Sequence, residues 1–213
     1  MQWELSMRKI LLGNNGIIVS NSKAHYVEDG TVPQEYRKLT GIIFDSNIYY
    51  ETLFKLEGSD TLKFAFSIKR ACNVLGCYSS TNANNNYSLY ASGASNAKYM
   101  RYNGGTYNSA ISLDTRYDVE ITPTGTNGFK TDSTWQQKNF IADDNMLIGT
   151  TAINASSAKL DGIMYGNVEV VDKGIFIPVE RISDGAIGYY EVISGEFLDN
   201  KGTGTPQILG YAQ

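Results

Sequence analysis

Hydrophobic and polar residues alternate along several segments of the chain, and this period of two is the pattern of a β-strand with one buried face. The clearest segment spans residues 61–69, where the apolar positions on one face are Leu62, Phe64, Phe66 and Ile68. The same alternation predicts strands over residues 117–121, 146–148, 163–171, 174–179 and 188–192. No segment keeps helical spacing over the roughly 10 to 12 residues that a helix requires. A short helical turn is predicted only at Pro33–Lys38, where proline occupies a permitted first position.

Turn-forming dipeptides separate these segments. They are Asn15-Gly16, Asp29-Gly30, Asn103-Gly104, Asn127-Gly128, Asp161-Gly162 and Asp184-Gly185. Each contains residues that tolerate a positive φ, which two-residue hairpin turns require. Strands and turns together predict an all-β protein in which two antiparallel sheets pack as a β-sandwich. A chain of 213 residues is long enough to bury a sizeable core between them.

The first 33 residues differ in character from the rest of the chain. Arg8–Leu12 turns through Gly13–Gly16 into Ile17–Ser20, which predicts a short N-terminal β-hairpin. An isolated two-stranded hairpin is marginally stable in water, so this segment must lean on the main domain, on a second copy of the chain or on another partner. We therefore divide the chain into an attachment or oligomerisation segment, residues 1–33, and a β-sandwich, residues 34–213. The candidate interface residues of the first segment are Ile10, Leu12, Ile17 and Val19.

The charge of the chain argues against nucleic acid as a partner. The 18 Lys and Arg residues against 22 Asp and Glu residues give a formal charge of −4, and the clustered basic residues that neutralise phosphates are missing. No apolar stretch approaches the length of a transmembrane helix, and residues 1–12 lack the apolar region of a signal peptide. We therefore expect no membrane insertion, and a chain that stays in the cytoplasm where it is made unless another machine exports it.

One histidine and two cysteines limit the chemistry that is available. His25 has no neighbouring Ser, Asp or Cys pattern that suggests a triad, which favours a surface or interface residue. The spacing of Cys72 and Cys77 matches neither a metal knuckle nor a C-x-x-C redox motif. Two buried thiols are favoured because free cysteine is among the most buried residue types, and a disulfide is the alternative. We expect no cofactor and no metal site.

Two acidic pairs in the sequence are candidate functional sites. Asp118 and Glu120 share one face of a predicted strand, but a third carboxylate is missing and Arg116 is placed to pair with them. A solvated strand face is therefore favoured over the paired carboxylates of a glycoside hydrolase, and we expect no catalytic residues. Asp143 and Asp144 suggest a calcium ligand pair, but no D-x-[DN]-x-[DN]-G run surrounds them, which favours an ordinary turn before a strand.

Five tyrosines lie within a short segment of the chain. They are Tyr87, Tyr90, Tyr99, Tyr102 and Tyr107. Tyrosines among short polar side chains make adaptable contact surfaces that stack on sugars or bind another protein. The alternative is that they pair across strands and stabilise the sheet. We take them as the candidate ligand-binding residues and leave both interpretations open.

The C-terminal third carries a recognisable pattern. Phe176-Ile-Pro178, Asp184-Gly185, Gly188-Tyr-Tyr-Glu191, Gly195-Glu-Phe197, Asn200 and Gly202-Thr-Gly204 follow one another in this order. This series resembles the closing segment of LamG-like, concanavalin A-like jelly-roll domains, "F-I-P … D-G … G-L-Y-D … G-x-F-Y-x-N-x-G-T-G". Glu35-Tyr-Arg-Lys-Leu39 also matches the family's "E-Y-x-x-L" opening, but Thr40–Tyr49 departs from the run that usually follows it. The resemblance covers roughly residues 35–210.

The resemblance implies a fold and a class of function. Such domains occur in phage virion proteins and in surface proteins of gut bacteria, and the motif describes a structural closure rather than a catalytic site. It implies a non-enzymatic virion protein, such as a head fibre, capsid decoration or tail appendage. The expected partners are sister subunits in a homotrimer, capsid or tail proteins, and a host-surface glycan. The alternative is a carbohydrate-binding module or a bacterial surface lectin.

Overall fold

A computed structural model describes residues 18–20, 23–25, 32–78, 87–92, 97–102, 105–123, 125–127, 140–152 and 158–213. Within these residues the protein is all-β, and two antiparallel sheets face each other as a sandwich, which confirms the predicted fold class. The described strands, in chain order, are β1 (Ile18–Ser20), β2 (Lys23–His25), β3 (Tyr36–Asp45), β4 (Tyr50–Glu57), β5 (Leu62–Ile68), β6 (Cys72–Cys77), β7 (Tyr87–Ser92), β8 (Ala97–Tyr102), β9 (Gly105–Ala110), β10 (Tyr117–Thr122), β11 (Gly125–Asn127), β12 (Ile141–Ile148), β13 (Asp161–Val170), β14 (Gly174–Arg181), β15 (Ile187–Glu191), β16 (Glu196–Leu198) and β17 (Gln207–Tyr211).

The two sheets differ in size. The larger has nine described strands in the order β11-β10-β5-β13-β3-β14-β15-β16, with β17 added to β3. The smaller has six, in the order β4-β12-β6-β7-β8-β9. β1 and β2 pair with each other as a separate two-stranded sheet. The chain crosses between the sandwich sheets several times, for example from β4 at the edge of the smaller sheet to β5, which lies between β10 and β13 in the larger sheet.

The core lies between the two sheets and follows the predicted alternation. Leu62, Phe64, Phe66 and Ile68 are all 4% exposed or less, as the pattern of residues 61–69 predicts. Burying a large apolar side chain stabilises a fold by about 1.5–3 kcal/mol, so such a strand face fixes which side of the sheet is inward. The inward aromatic rings of Phe44, Tyr50 and Tyr189 pack edge to face in the centre.

Two local predictions were wrong. Pro33–Lys38 is not helical over its length: the N–H of Tyr36 donates to the carbonyl of Pro33 at 2.9 Å, which closes a single turn over the first four residues, and β3 begins at Tyr36 itself. Asp161-Gly162 is not a turn but the start of β13. A Cβ at Gly162 would lie 2.0 Å from the backbone oxygen of Ser67 in the neighbouring strand, so this glycine permits close strand packing rather than a reversal.

One other turn prediction agrees with the structure. Asp184-Gly185 joins β14 to β15, with Gly185 at φ 71°. β8 and β9 pair with Tyr102 opposite Gly105, and the Asn103-Gly104 dipeptide between them lies outside the described residues. The dipeptides at 15–16 and 29–30, and Gly128, lie outside the described residues.

Candidate functional site

The C-terminal motif ties the end of the sandwich to the turn between β3 and β4. The side-chain oxygen of Asn200 accepts the N–H groups of Tyr49 and Gly202 at 3.2 and 2.9 Å, and its amide donates to the carbonyl of Gly204 at 2.8 Å. A Cβ at Gly202 would lie 1.8 Å from the backbone oxygen of Asn47. The Asn and Gly residues of the motif are therefore required by a close approach of two backbone segments.

The acidic positions of the motif hold turns. The buried carboxylate of Glu191 accepts backbone N–H groups from the turn that follows β15. Asp184 makes two hydrogen bonds to the guanidinium of Arg181, at 3.0 and 2.7 Å. The hydrogen bonds from Arg181 lower the pKa of Asp184 to about 2. Both carboxylates bind neighbouring groups of the chain.

The tyrosines do not form one patch. Tyr87 is 2% exposed and belongs to the core, where its ring lies 6.4 Å from that of Phe140. This corrects its assignment as a ligand-binding residue, because a strand turns alternate residues to opposite faces. In the register, Tyr102 is paired with Tyr87, and Tyr107 with Met100.

Tyr90 lies on the outer face of the smaller sheet and is partly exposed. Cross-strand partners share a face, and the register places a row of four positions across β6, β7, β8 and β9. The row is Asn73, Tyr90, Tyr99 and Asn108. We call these four positions the tyrosine row and take it as the candidate contact surface. Asn73 is itself buried, whereas the ring of Tyr90 is partly exposed and offers a face on which a sugar can stack.

A second row crosses the same face beside the tyrosine row. Its positions are Glu51, Leu147, Gly76, Ser88, Arg101 and Thr106. Among the described side chains, Asn73 and Ser88 are each 4% exposed, whereas Tyr90, which neighbours both of them on this face, is partly exposed. Sequence reasoning missed Asn73 and Glu51, because only the strand register brings them to this face.

The acidic pairs are held within strands. Asp118 makes two hydrogen bonds to Arg116, at 3.1 and 2.7 Å, as predicted, and Glu120 lies 4.0 Å from Lys63. Asp143 and Asp144 lie inside β12 rather than in a turn before it, so that prediction was wrong. They are adjacent and both exposed because the pairing of β12 with β4 contains register shifts that break the alternation. In the part of the chain that the structure describes, no group of three or more His, Cys, Asp or Glu residues is placed to hold a metal ion.

Both cysteines are free and buried on β6, as the sequence favours. The thiol of Cys77 points to the carbonyl oxygen of Tyr87 at 3.7 Å. Burial raises the pKa of Cys72 to about 11 and that of Cys77 to about 12. Neutral thiols of this kind are poor nucleophiles and serve here as small core residues.

The N-terminal candidates lie mostly outside the described residues. Val19 is in β1, paired with Ala24, whereas Ile10, Leu12 and Ile17 are not described. β1 pairs with Lys23–His25, a partner that the hairpin prediction did not include, and His25 stands opposite Ile18.

A charged cluster that sequence reasoning missed lies at the end of the sandwich where β4 leads into β5. The ammonium of Lys173 is 2.7 Å from a carboxylate oxygen of Asp60 and 3.2 Å from one of Glu57. Lys173 is more than 100 residues from both partners in sequence. No local pattern signals this contact, because only the fold brings the two turns together.

The chain matches no model of a known protein family, and no curated protein matches it either. The described residues include no helix of the length and apolarity that crossing a bilayer needs.

Proposed function

We propose that this chain is a non-enzymatic structural protein of a phage virion: a head fibre, a capsid decoration or a tail appendage. Residues 1–33 attach it to the particle or to sister subunits in a homotrimer, and the sandwich of residues 34–213 is displayed for contact with the host surface. The chain is made in the host cytoplasm and resides in the virion.

The observation that carries the proposal is the separate β1–β2 hairpin in front of the sandwich. A two-stranded sheet of three residues per strand is not stable alone in water, and a structural protein supplies such a segment with a partner. The resemblance of residues 174–205 to virion jelly-roll domains points the same way. Side chains of the closing motif form hydrogen bonds to the backbone of neighbouring turns, which fits a structural role.

The experiment is mass spectrometry of purified phage particles together with light scattering of the isolated full chain. We expect peptides of this protein in the particles and a trimer in solution. The Val19→Asp variant of the full chain should lose trimerisation while keeping its β circular dichroism spectrum. A wild-type chain that is monomeric in solution and is also missing from the particles would contradict the proposal.

A carbohydrate-binding module is the second candidate, and the tyrosine row favours it. Stacking of a sugar ring on tyrosine needs an accessible aromatic face, and Tyr90 is partly exposed and lies between the positions of Asn73 and Tyr99 in the register. Binding of labelled wild-type protein to a glycan array should be saturable and should fall in Tyr90→Ala. Tyr165→Ala, which changes an aromatic residue of the other sheet, is the matched control. Equal binding by both variants removes the tyrosine row from the proposal.

A further inference from the structure

The charged cluster of Lys173, Asp60 and Glu57 brings one amine and two carboxyl groups into contact. The Nζ atom of Lys173 lies 2.7 Å from Oδ1 of Asp60, whose side chain is only 4% exposed. Lys63, by comparison, lies 4.0 Å from both Glu120 and Glu169, and all three side chains are about a third exposed or more. The Lys173–Asp60 contact is therefore shorter and less exposed to solvent than either contact of Lys63.

The carboxyl group of Asp60 is also held from its other side. The backbone N–H of Glu57 donates to Oδ2 of Asp60 at 2.7 Å. A backbone donor in this position stabilises negative charge on that oxygen when a nucleophile attacks the carboxyl carbon, as in an oxyanion hole. The side chain of the same Glu57 reaches the ammonium of Lys173 at 3.2 Å and can move a proton.

The backbone fixes the two turns side by side. The N–H of Val171 donates to the carbonyl of Thr61 at 2.9 Å, next to both reacting residues. Asp172 has φ 64°, so the turn that presents Lys173 is locked in a left-handed conformation. Holding two groups at contact distance replaces an encounter in solution and raises the rate of a slow reaction by orders of magnitude.

We propose that Lys173 and Asp60 form an intramolecular amide bond, with Glu57 relaying the proton. One proton of the ammonium passes to Oδ1, which leaves a neutral amine and a carboxylic acid. The Nζ atom attacks Cγ, and the charge on Oδ2 is met by the N–H of Glu57. The Glu57 carboxylate takes a second proton from nitrogen and gives it to Oδ1, the Cγ–Oδ1 bond breaks, and one water leaves. The third proton stays on the amide nitrogen, so no oxidant or other reactant is needed.

Partial desolvation favours the neutral pair over the ion pair in the first step. For Lys173, burial lowers the pKa, but the hydrogen bonds to Asp60 and Glu57 raise it by more. The ammonium form therefore dominates and the reaction is slow, but each chain needs to react only once. The bond closes a loop from residue 60 to residue 173, and a covalent link across so long a segment restricts the unfolded chain.

The test is the intact mass of the purified, denatured full chain, followed by peptide mapping. We expect a mass lower than that of the sequence by one water, and a branched peptide that contains both Asp60 and Lys173. Lys173→Arg keeps the positive charge and should restore the full mass, as should Asp60→Ala. Glu57→Gln, which cannot take the proton, should restore it or slow the loss. Lys63→Arg is the control and should leave the deficit unchanged.

Succinimide formation at an Asp-Gly pair also removes one water, so the variants distinguish the two sources. A deficit that persists in Lys173→Arg overturns the proposal, and so does a wild-type mass equal to that of the sequence. The wild-type peptide map decides by itself if a variant fails to fold, because only the amide bond gives the branched peptide.

Discussion

The hydroxyl group of Tyr189 gives the sharpest test of the core. Its side chain is 0% exposed, and its oxygen has no hydrogen-bond partner in the part of the chain that the structure describes. The ring packs edge to face against Tyr50, with centroids 5.1 Å apart. Tyr50 differs in one respect, because its hydroxyl donates to the carbonyl of Ile187 at 3.2 Å. The two residues therefore form a matched pair of buried tyrosines.

Removing each hydroxyl should change stability in opposite directions. Leaving a buried polar group unpaired costs about 1–3 kcal/mol, and Tyr189→Phe removes that cost while keeping the ring. Some contacts of the lost oxygen offset the gain, so we expect the free energy of unfolding to rise by about 1 kcal/mol. Tyr50→Phe loses a formed hydrogen bond, which should lower the free energy of unfolding by about 1 kcal/mol.

The assay is urea unfolding followed by circular dichroism, with the slope unchanged between proteins. Alkaline pH provides a second measurement, because burial raises the pKa of Tyr189 well above its usual value of 10.0. The stability from this shift is complete below pH 10 and is lost as the pH rises, since the unfolded tyrosine ionises first. The advantage of Tyr189→Phe should therefore grow above pH 10. A Tyr189→Phe protein that is less stable than wild type by the same amount as Tyr50→Phe would refute the reasoning.

Three further outcomes are expected. The raised pKa values of Cys72 and Cys77, about 11 and about 12 against an ordinary 9.0, stabilise the fold below pH 9. As the pH rises from 9 toward 11, ionisation of each thiol in the unfolded chain should lower the free energy of unfolding by about 1.4 kcal/mol per pH unit. The double alanine variant should therefore show a shallower decline in the free energy of unfolding over that range. Gly202→Ala places a methyl group 1.8 Å from the Asn47 oxygen and should cost about 1–3 kcal/mol in urea unfolding; unchanged stability would contradict the close approach. Glu191→Gln weakens the charged acceptor of two backbone N–H groups and should lower the free energy of unfolding by about 1–2 kcal/mol, with a variant as stable as wild type counting against that role.

The predicted strands and the sandwich could be found in the sequence because burial on one face imposes a period of two. Strands that are buried on both sides carry no such signal. β6 is an example: all six residues from Cys72 to Cys77 are buried, so its pattern is uniform. The Asp161-Gly162 dipeptide shows the converse error. Its glycine is needed for close packing of two strands, but in the sequence it looks the same as an Asp-Gly dipeptide that forms a turn.

The candidate surface was predicted in part. Sequence proximity grouped the five tyrosines, but the pleat separates Tyr87 from Tyr90 and sends them to opposite faces. The register then joins Tyr90 to Asn73, which the sequence places in a different segment. The hydrogen-bonded pairing between strands determines which residues are neighbours on the sheet, and this pairing cannot be read from the composition of a segment.

By itself, the amino-acid sequence determined the fold class, the inward face of strands such as β5 and the turn at Asp184-Gly185, because each depends on local periodicity or local residue chemistry. It favoured free thiols at Cys72 and Cys77 but left a disulfide open. Only the tertiary structure decided that Tyr87 is buried while Tyr90 is partly exposed, why Gly202 must be glycine, and that Lys173 contacts Asp60 and Glu57. These features join residues that are distant in the chain, and packing of the two sheets is what brings them within contact distance.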